Sequence, residues 1–230
     1  MGVEAQDARS ESAQLAADIA DAGRVLGALG LVTAFGHVSA RLGDQLLITP
    51  AAELATVRAS DLVAVPLEAR TLPPRAPAEA WIHLRIYTAR PGVSAVARAQ
   101  PPDAFAAAAV TAALWPLHGQ ASWLGRVVPV HDDARLLRSP DLADAAVAAL
   151  GGGDALLLRG NGAVTMGVSP GLAVARMWLL AAACRVWLTA TAAGPIRPLT
   201  DAEFDSWRAV QSELLPRLWR HLRRTAAEST

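Results

Sequence analysis

The 230 residues include no lysine and only one cysteine, two residue types that many enzymes use in catalysis. A Schiff base with a carbonyl substrate or with pyridoxal phosphate needs a lysine amine, so the sequence excludes both. The single cysteine, Cys184, excludes an intramolecular disulfide and a zinc site built from cysteines. The 21 strongly basic residues are all arginine, a bias consistent with a codon composition that also favours alanine, glycine and proline.

Excess charge and long apolar runs are also absent. Twenty-one acidic residues balance the 21 basic ones, which gives no electrostatic reason to expect a nucleic acid or an anionic membrane as partner. The most apolar run, "MWLLAAAC" at 177–184, lies between two arginines and is too short to span a bilayer. The polar, acidic start "MGVEAQDARSES" is unlike a secretory signal. We therefore expect a cytoplasmic, soluble protein.

Helix and strand patterns alternate along the chain without a linker, which predicts one domain over 1–230. Strands are predicted at 36–42, 45–49, 61–67, 94–100, 126–130 and twice within 154–167. Helices are predicted from Ser12 to Gly30, up to about Tyr87, after Pro102, at 169–193 and across 200–224, with residues 1–11 flexible and 200–230 forming the C-terminal helix. Hairpin-linked strands among helices favour a layered α/β fold with a mixed sheet.

The predicted strand in "SAVARAQPPDAF" (94–105) carries two polar side chains among alanines. Arg98 and Gln100 are two residues apart, so both project from the same face of the strand. Glu79 and His83 are four apart on the preceding helix and share a face of it. That pair is either an acid/base pair in a cleft or a surface pair. His131, beside two aspartates in "PVHDD", is either a metal ligand or part of a solvated loop.

Four motifs together resemble the class II aldolase/adducin family over roughly residues 12 to 210. The motifs are "GLVTAFGHVSARL", "LLITPAAEL", "EAWIHLRIYTARPGVSAVARAQPPDAFAAAA" and "LLLRGNGAVTMGVSPGLAVARMWLLAAACRVWL", in the family's order. The resemblance implies a three-layer αβα fold with a central, mainly antiparallel mixed sheet. His37 in "AFGHVSAR" stands where sugar-phosphate aldolases usually carry asparagine. In this motif the sequence resembles the decarboxylase-type branch of the family.

Family members hold a divalent metal, usually zinc, with a His-x-His pair on a strand and a third histidine in an Asn-His-Gly turn. The matching positions here are Arg98, Gln100 and Asn161. An arginine has no lone pair to offer and amides are poor zinc ligands. We therefore predict that this chain holds no metal and no cofactor.

The residues that match the family's phosphate site have changed as well. The family's Thr-Pro-Ser-Gly loop is Thr-Pro-Ala-Ala here, which leaves Thr49, and its Ser-Ser-Glu segment is Pro-Ala-Glu. Glu79, which matches the family's acid/base glutamate, is retained together with His83. Loss of the metal ligands with retention of the acid/base residue is compatible with two functions.

The first function is a metal-independent lyase that decarboxylates, cleaves or enolises a small keto or hydroxy acid. In it Arg98 replaces the charge of the metal, Glu79 transfers protons, and His83 and His37 assist. The expected catalytic residues are Glu79, Arg98, His83 and His37, and the expected substrate-binding residues are Gln100, Asn161, Thr49 and Ser39. The alternative is a catalytically silent, adducin-like binding or scaffold protein, in which Arg98 fills space and pairs with Glu79.

The expected partners are a small anionic organic substrate and further copies of the same chain. The resemblance implies a homotetramer with active sites at subunit interfaces. Seven tryptophans are many for one core, and aromatic residues are enriched where subunits meet. Four of them lie in the predicted C-terminal helices: Trp178, Trp187, Trp207 and Trp219.

Overall fold

The computed structural model describes residues 2–228, which form helices on both faces of one sheet. The helices are α1 (Gly2–Ala28), α2 (Ala80–Ala89), α3 (Pro102–Val110), α4 (Pro140–Ala149), α5 (Pro170–Ala193), α6 (Asp201–Ala209) and α7 (Gln211–Glu228). The strands are β1 (His37–Leu42), β2 (Gln45–Ile48), β3 (Val63–Pro66), β4 (Ala95–Ala99), β5 (Ala113–Leu114), β6 (Val128–His131), β7 (Ala155–Leu158) and β8 (Gly162–Gly167). Short 3-10 segments lie at Leu54–Thr56, Ala59–Asp61 and Gly119–Leu124.

The eight strands form a mixed sheet in the order β3-β2-β1-β4-β8-β7-β6-β5. Strands β6 and β7 pair in parallel, and the other neighbours pair in antiparallel orientation. Alternating side chains divide the core between the two faces of the sheet. One buried cluster packs β1 and β4 against α1, α3, α5 and α7, and the other packs the opposite face against α2 and α4. The predicted three-layer αβα fold is confirmed.

Four parts of the chain differ from the sequence prediction, the first of which is the two-residue strand β5 (Ala113–Leu114), where no strand was predicted. Helix α1 begins at Gly2, so residues 2–11, predicted as flexible, are helical, whereas Met1 lies outside the described residues. The C-terminal region contains two helices separated at Val210, not one. Helix α4 was not predicted, although its start is well marked. The Ser139 side chain accepts the backbone N–H of Leu142, and Pro140 occupies the first turn.

Helix α5 is the longest apolar element. By length and composition it could cross a membrane, but 61% of its most apolar 18-residue window is buried inside the fold. Its Arg176 is also buried, where Nε donates to the Trp123 carbonyl at 3.0 Å and Nη1 donates to the Met166 carbonyl at 2.7 Å. The side-chain ion pair with Asp154 completes this arrangement. Within this chain α5 is the central helix of the larger core cluster.

The tryptophans divide between the interior and the surface. Trp123 and Trp187 are buried, and Trp115, which is 45% exposed, stacks on Trp187 with 5.8 Å between ring centroids. Trp207 is 39% exposed. The homo-oligomer stays a prediction.

The register of the three central strands brings distant polar residues to the α2 face of the sheet. His37 at the start of β1 lies directly opposite Arg98 of β4, which in turn lies opposite Val164 of β8. Residues directly opposite in antiparallel strands project from the same face. The turn from β7 to β8 carries Asn161 to this edge. Gly162, at φ 90°, comes so close to the Ala99 carbonyl that a Cβ would overlap it.

We therefore expect Gly162→Ala to destabilise the protein more than Gly43→Ala. Both glycines have positive φ, but a Cβ at Gly43 (φ 60°) would meet no atom within 4 Å. Backbone strain alone should cost about 1–2 kcal/mol at either position. The overlap at Gly162 should add about 1–3 kcal/mol. Urea unfolding of both variants measures the difference, and equal losses would show that the β4 contact does not constrain this turn.

Candidate active site

The centre of the site is a buried guanidinium held by a carboxylate and an amide. The Arg98 side chain is 2% exposed, and its Nη2 lies 3.2 Å from Glu79 Oε2. The same Nη2 donates to the Asn161 side-chain carbonyl and, at 3.1 Å, to its backbone carbonyl. Asn161 Nδ2 donates to Glu79 Oε1 at 2.9 Å, which closes the triangle. Arg98 Nη1 is buried and has no hydrogen-bond partner among the described residues.

This network satisfies the electrostatic requirements of a charge inside the protein. A buried ion that loses its partner destabilises a fold by several kcal/mol, so Arg98 depends on Glu79. Burial lowers the pKa of Arg98, while the Glu79 carboxylate acts in the opposite direction. Arginine nevertheless keeps its proton in proteins. The site therefore contains a permanent positive charge paired with one carboxylate that is 12% exposed.

A second buried chain of hydrogen bonds holds His83 of α2. Its Nδ1 lies 2.7 Å from Ser39 Oγ, which lies 2.8 Å from the Tyr87 hydroxyl. A buried hydroxyl needs an acceptor, so we assign Tyr87 as the donor to Ser39 and Ser39 as the donor to His83. This assignment places the imidazole proton of His83 on Nε2, which has no partner among the described residues.

Both histidines of the site are neutral at neutral pH. Burial, with help from the Arg98 charge, lowers the pKa of His83 to about 3. Burial, followed by the effects of His83 and Arg98, lowers the pKa of His37 well below its usual value. The two rings pack with their centroids 5.5 Å apart. The spacing of Glu79 and His83 was compatible with a pair on the protein surface. The structure excludes that alternative, because His83 is fully buried.

A cavity of about 260 Å³ opens beside this network. Glu79 and His37 contribute its functional groups, and Arg138 contributes a guanidinium. Alanine, proline and phenylalanine side chains form much of the wall: Ala34, Phe35, Ala51, Ala52, Pro77 and Ala78. Arg98, Asn161 and His83 do not line it and lie behind Glu79 and His37. A ligand in the cavity therefore meets the carboxylate first and feels the Arg98 charge through it.

All four residues predicted to bind substrate, Asn161 among them, lie outside the lining of this cavity. The Thr49 hydroxyl accepts the Val38 backbone N–H at 3.1 Å, and its methyl group faces Gly23 of α1, on the opposite side of the sheet. Ser39 is fully buried behind His83. Gln100 is half-buried after the end of β4, where its backbone N–H donates to the Leu31 carbonyl. Its side chain has no hydrogen bond to any described residue.

Sequence reasoning missed three residues of the site. Tyr87 could have been found, since it follows Glu79 and His83 at the same four-residue spacing along one helix face. Phe35 and Arg138 had no such signal, because they lie in loops and reach the cavity through the tertiary fold. His131, for which a solvated loop was one interpretation, is the buried last residue of β6.

The side chains at the site do not fit the divalent metal that the family resemblance implies. Within residues 2–228, no group of three or more His, Cys, Asp or Glu side chains is placed to hold a metal ion. Arg98 donates from Nη2 to the two groups, Glu79 and Asn161, that could offer oxygen ligands. A metal cation would also lie against a fixed positive charge.

The family described as Class II Aldolase and Adducin N-terminal domain matches residues 17–188. The chain belongs to the class II aldolase and adducin family. It is 27% identical over 223 residues to a 3,4-dihydroxyphthalate decarboxylase of Rhodococcus jostii, covering 88% of this chain and 92% of that protein. A 3,4-dihydroxyphthalate decarboxylase of Terrabacter is 31% identical over 195 residues, covering 76% of this chain and 81% of that protein.

Solved structures of the family agree with the fold. The L-fuculose-1-phosphate aldolase of Thermus thermophilus superposes with a TM-score of 0.71 at 30% identity, covering 80% of this chain and 99% of that one. The relatives are named as decarboxylases and aldolases, which are both lyases. The chain is accordingly a class II aldolase-like lyase.

We expect acid to destabilise this family member through its buried histidines. In the unfolded chain a histidine binds a proton below about pH 6.5. Folded His83 stays neutral down to a pKa of about 3. The unfolded state therefore binds more protons between these values, and stability falls as the pH falls, by up to about 1.4 kcal/mol per pH unit for each such histidine.

Urea unfolding at a series of pH values tests this expectation. His83→Gln should reduce the acid dependence by up to one proton. An unchanged slope in His83→Gln would mean that folded His83 takes up a proton as readily as the unfolded chain does.

Proposed function

We propose that this lyase acts on a small keto or hydroxy acid without a bound metal, with Glu79 as its general acid/base. The observation that carries the proposal is the Glu79 carboxylate at the cavity, held from behind by the Arg98 guanidinium. Decarboxylation, retro-aldol cleavage and enolisation all develop negative charge on the substrate. Each needs a group that moves a proton and a positive charge that stabilises the anion.

The Arg98–Glu79 pair can supply both in a single step. At rest the carboxylate neutralises the guanidinium, and the pair has no net charge. When Glu79 takes a proton from the substrate, the pair gains a net charge of +1 while the substrate gains a negative charge. Because Arg98 is buried, this new attraction acts in surroundings of low effective dielectric constant and is stronger than it would be in water. Arg98 thus takes the electrostatic role that a metal has elsewhere in the family.

His37 completes the set of groups that face the substrate. It lines the cavity and is neutral, so it can offer one hydrogen-bond donor and one acceptor to a substrate hydroxyl or carbonyl. His83 lies behind it, in ring contact, and Ser39 and Tyr87 fix its orientation. The proposed roles are therefore proton transfer for Glu79, polarisation for His37 and support for His83.

The cavity wall favours a carboxylic acid over a sugar phosphate. A bound phosphate needs several hydrogen-bond donors around its oxygens. At the positions that match the family's phosphate loops, Ala51, Ala52 and Ala78 line the cavity with methyl groups. The relatives named as decarboxylases act on an aromatic diacid by their names, which supports an acid as the substrate here.

One observation supports a second function, that of a silent binding or scaffold protein. Glu79 and Asn161 already satisfy Arg98 Nη2 inside the protein, so this part of the network is complete without a ligand. A protein that retained the network for stability alone would show the same contacts. The two functions differ in whether the Glu79 carboxylate moves a proton.

Glu79→Gln separates the two functions. The amide retains the shape of the side chain but cannot act as a base and leaves the Arg98 charge unpaired, so turnover is compared per folded molecule and should fall by about 10²- to 10⁴-fold. We would incubate the protein with a panel of small keto and hydroxy acids and follow substrate consumption by NMR. We expect at least one acid to be consumed by the wild type and to persist with Glu79→Gln. If the wild type consumes none, the scaffold function is preferred.

Arg98→Lys tests the role of the guanidinium in the same assay. Lysine keeps the charge, but its side chain is shorter and its ammonium more strongly hydrated, so it cannot take the place of Nη2, the nitrogen that contacts both Glu79 and Asn161, and we expect a loss of turnover of about tenfold or more. Arg176→Lys is the matched control, since Arg176 is also buried and ion-paired but lies outside the site. Turnover per folded molecule should survive in Arg176→Lys. Equal losses in both variants would mean that Arg98 acts only on stability.

We also expect the purified protein to contain less than stoichiometric zinc or other divalent metal. The donor set around Arg98 offers too few ligands, and the guanidinium repels a cation. Elemental analysis of protein prepared without chelator measures the metal content, and incubation with a chelator should leave turnover unchanged. A stoichiometric metal whose removal abolishes turnover would contradict metal independence.

A further inference from the structure

Two side chains at the cavity, Phe35 and Arg138, are exposed. Phe35 is 65% exposed, although a large aromatic side chain is normally shielded from water. Arg138 makes no side-chain hydrogen bond or ion pair with any residue in the range 2–228. Both belong to the wall that also contains Glu79 and His37. They are therefore available to a ligand in this cavity.

The backbone holds Arg138 in place while its side chain stays unpaired. Its neighbour Leu137 is buried in the cluster that contains α2 and α4. Its other neighbour, Ser139, caps the start of α4. Arg135, three residues earlier in the same loop, pairs with Asp133. The loop thus neutralises one arginine and presents the other to the cavity.

Phe35 is held in a similar way from the other side. It precedes Gly36, whose backbone packs so closely against the buried Val32 that a Cβ there would overlap its side chain. His37 follows at once and starts β1. The position of Phe35 is therefore tied to the strand that carries one of the groups facing the substrate.

We infer that Phe35 and Arg138 select the substrate, a small flat carboxylic acid whose carboxylate pairs with Arg138 and whose planar face packs on Phe35. This inference rests on the proposed function for the assignment of the cavity as the substrate site. Arg138 is the one arginine in the described wall of the cavity, because Arg98 is sealed behind Glu79. An arginine offers a carboxylate two parallel hydrogen bonds, and aromatic rings favour offset stacking on one another.

The size of the cavity limits the ligand. Its volume of about 260 Å³ is below the range of about 300–1,000 Å³ that is typical of pockets for drug-sized molecules. A single ring with one or two acidic groups is therefore the expected scale. With the carboxylate on Arg138, the opposite end of such a ligand can face Glu79 and His37.

Equilibrium binding of three probes tests the inference without any need for turnover. Benzoate is flat and charged, cyclohexanecarboxylate is charged but not flat, and benzyl alcohol is flat but uncharged. Calorimetric titration of the full-length protein should show benzoate binding most tightly. Arg138→Gln should weaken the binding of benzoate by about tenfold and leave the binding of benzyl alcohol unchanged. Phe35→Leu should remove the preference for benzoate over cyclohexanecarboxylate, which we expect to be about threefold or more.

Arg70→Gln is the matched control, because Arg70 is also exposed and has no side-chain partner among the described residues but lies away from the cavity. It should bind benzoate like the wild type. Benzoate that fails to bind at millimolar concentration, or that binds Arg138→Gln as well as the wild type, overturns the inference. If the binding pattern is as expected but no acid is consumed, the proposed lyase function fails and the recognition site stands.

Discussion

The burial of the Arg98 guanidinium is the constraint on which the rest of the site depends. A charge that is 2% exposed needs partners at fixed positions, and the fold supplies them from two other segments of the chain. Glu79 stands at the start of α2 and Asn161 stands in the turn before β8, the strand that neighbours Arg98's own strand β4 in the sheet. The close approach of Gly162 to β4 fixes the distance from which Asn161 reaches the guanidinium.

The site consists of a sealed part and an open part, with different electrostatics. In the sealed part, Arg98, Asn161 and His83 interact out of contact with water, so salt screens them little. In the open part, Arg138 meets solvent, where its attraction for an anion is weaker and depends on ionic strength. Glu79 connects the two, since it binds Arg98 on one side and lines the cavity on the other. The open part suits selection of a ligand, and the sealed part suits stabilisation of a charge.

The sequence was sufficient for seven of the eight strands and for the residues that meet around Arg98, but not for β5 or the mouth of the cavity. Residue spacing placed Glu79 and His83 on one helix face, and the family's motif positions brought Arg98 and Asn161 together. Both signals, the helical spacing and the order of the motifs, can be read from the sequence alone. Thr49 was expected to bind substrate, but its side chain lies on the other face of the sheet. There its hydroxyl accepts the Val38 backbone N–H. Arg138 and Phe35 lie in loops without periodicity, so only tertiary packing shows that they meet.

The Arg98 network also has a consequence for the order in which the chain can fold. Arg98, Glu79 and Asn161 lie in separate segments, so the contact of Arg98 with Asn161 forms when β4 has paired with β8, and the contact with Glu79 forms when α2 has docked on the sheet. A partly folded form with β4 buried and Asn161 or Glu79 still absent would contain an uncompensated charge and would be unstable. Docking of α2, closure of the β7–β8 turn and burial of β4 are thereby coupled into one cooperative event. The charge that equips the finished site therefore also destabilises forms in which the site is only half assembled.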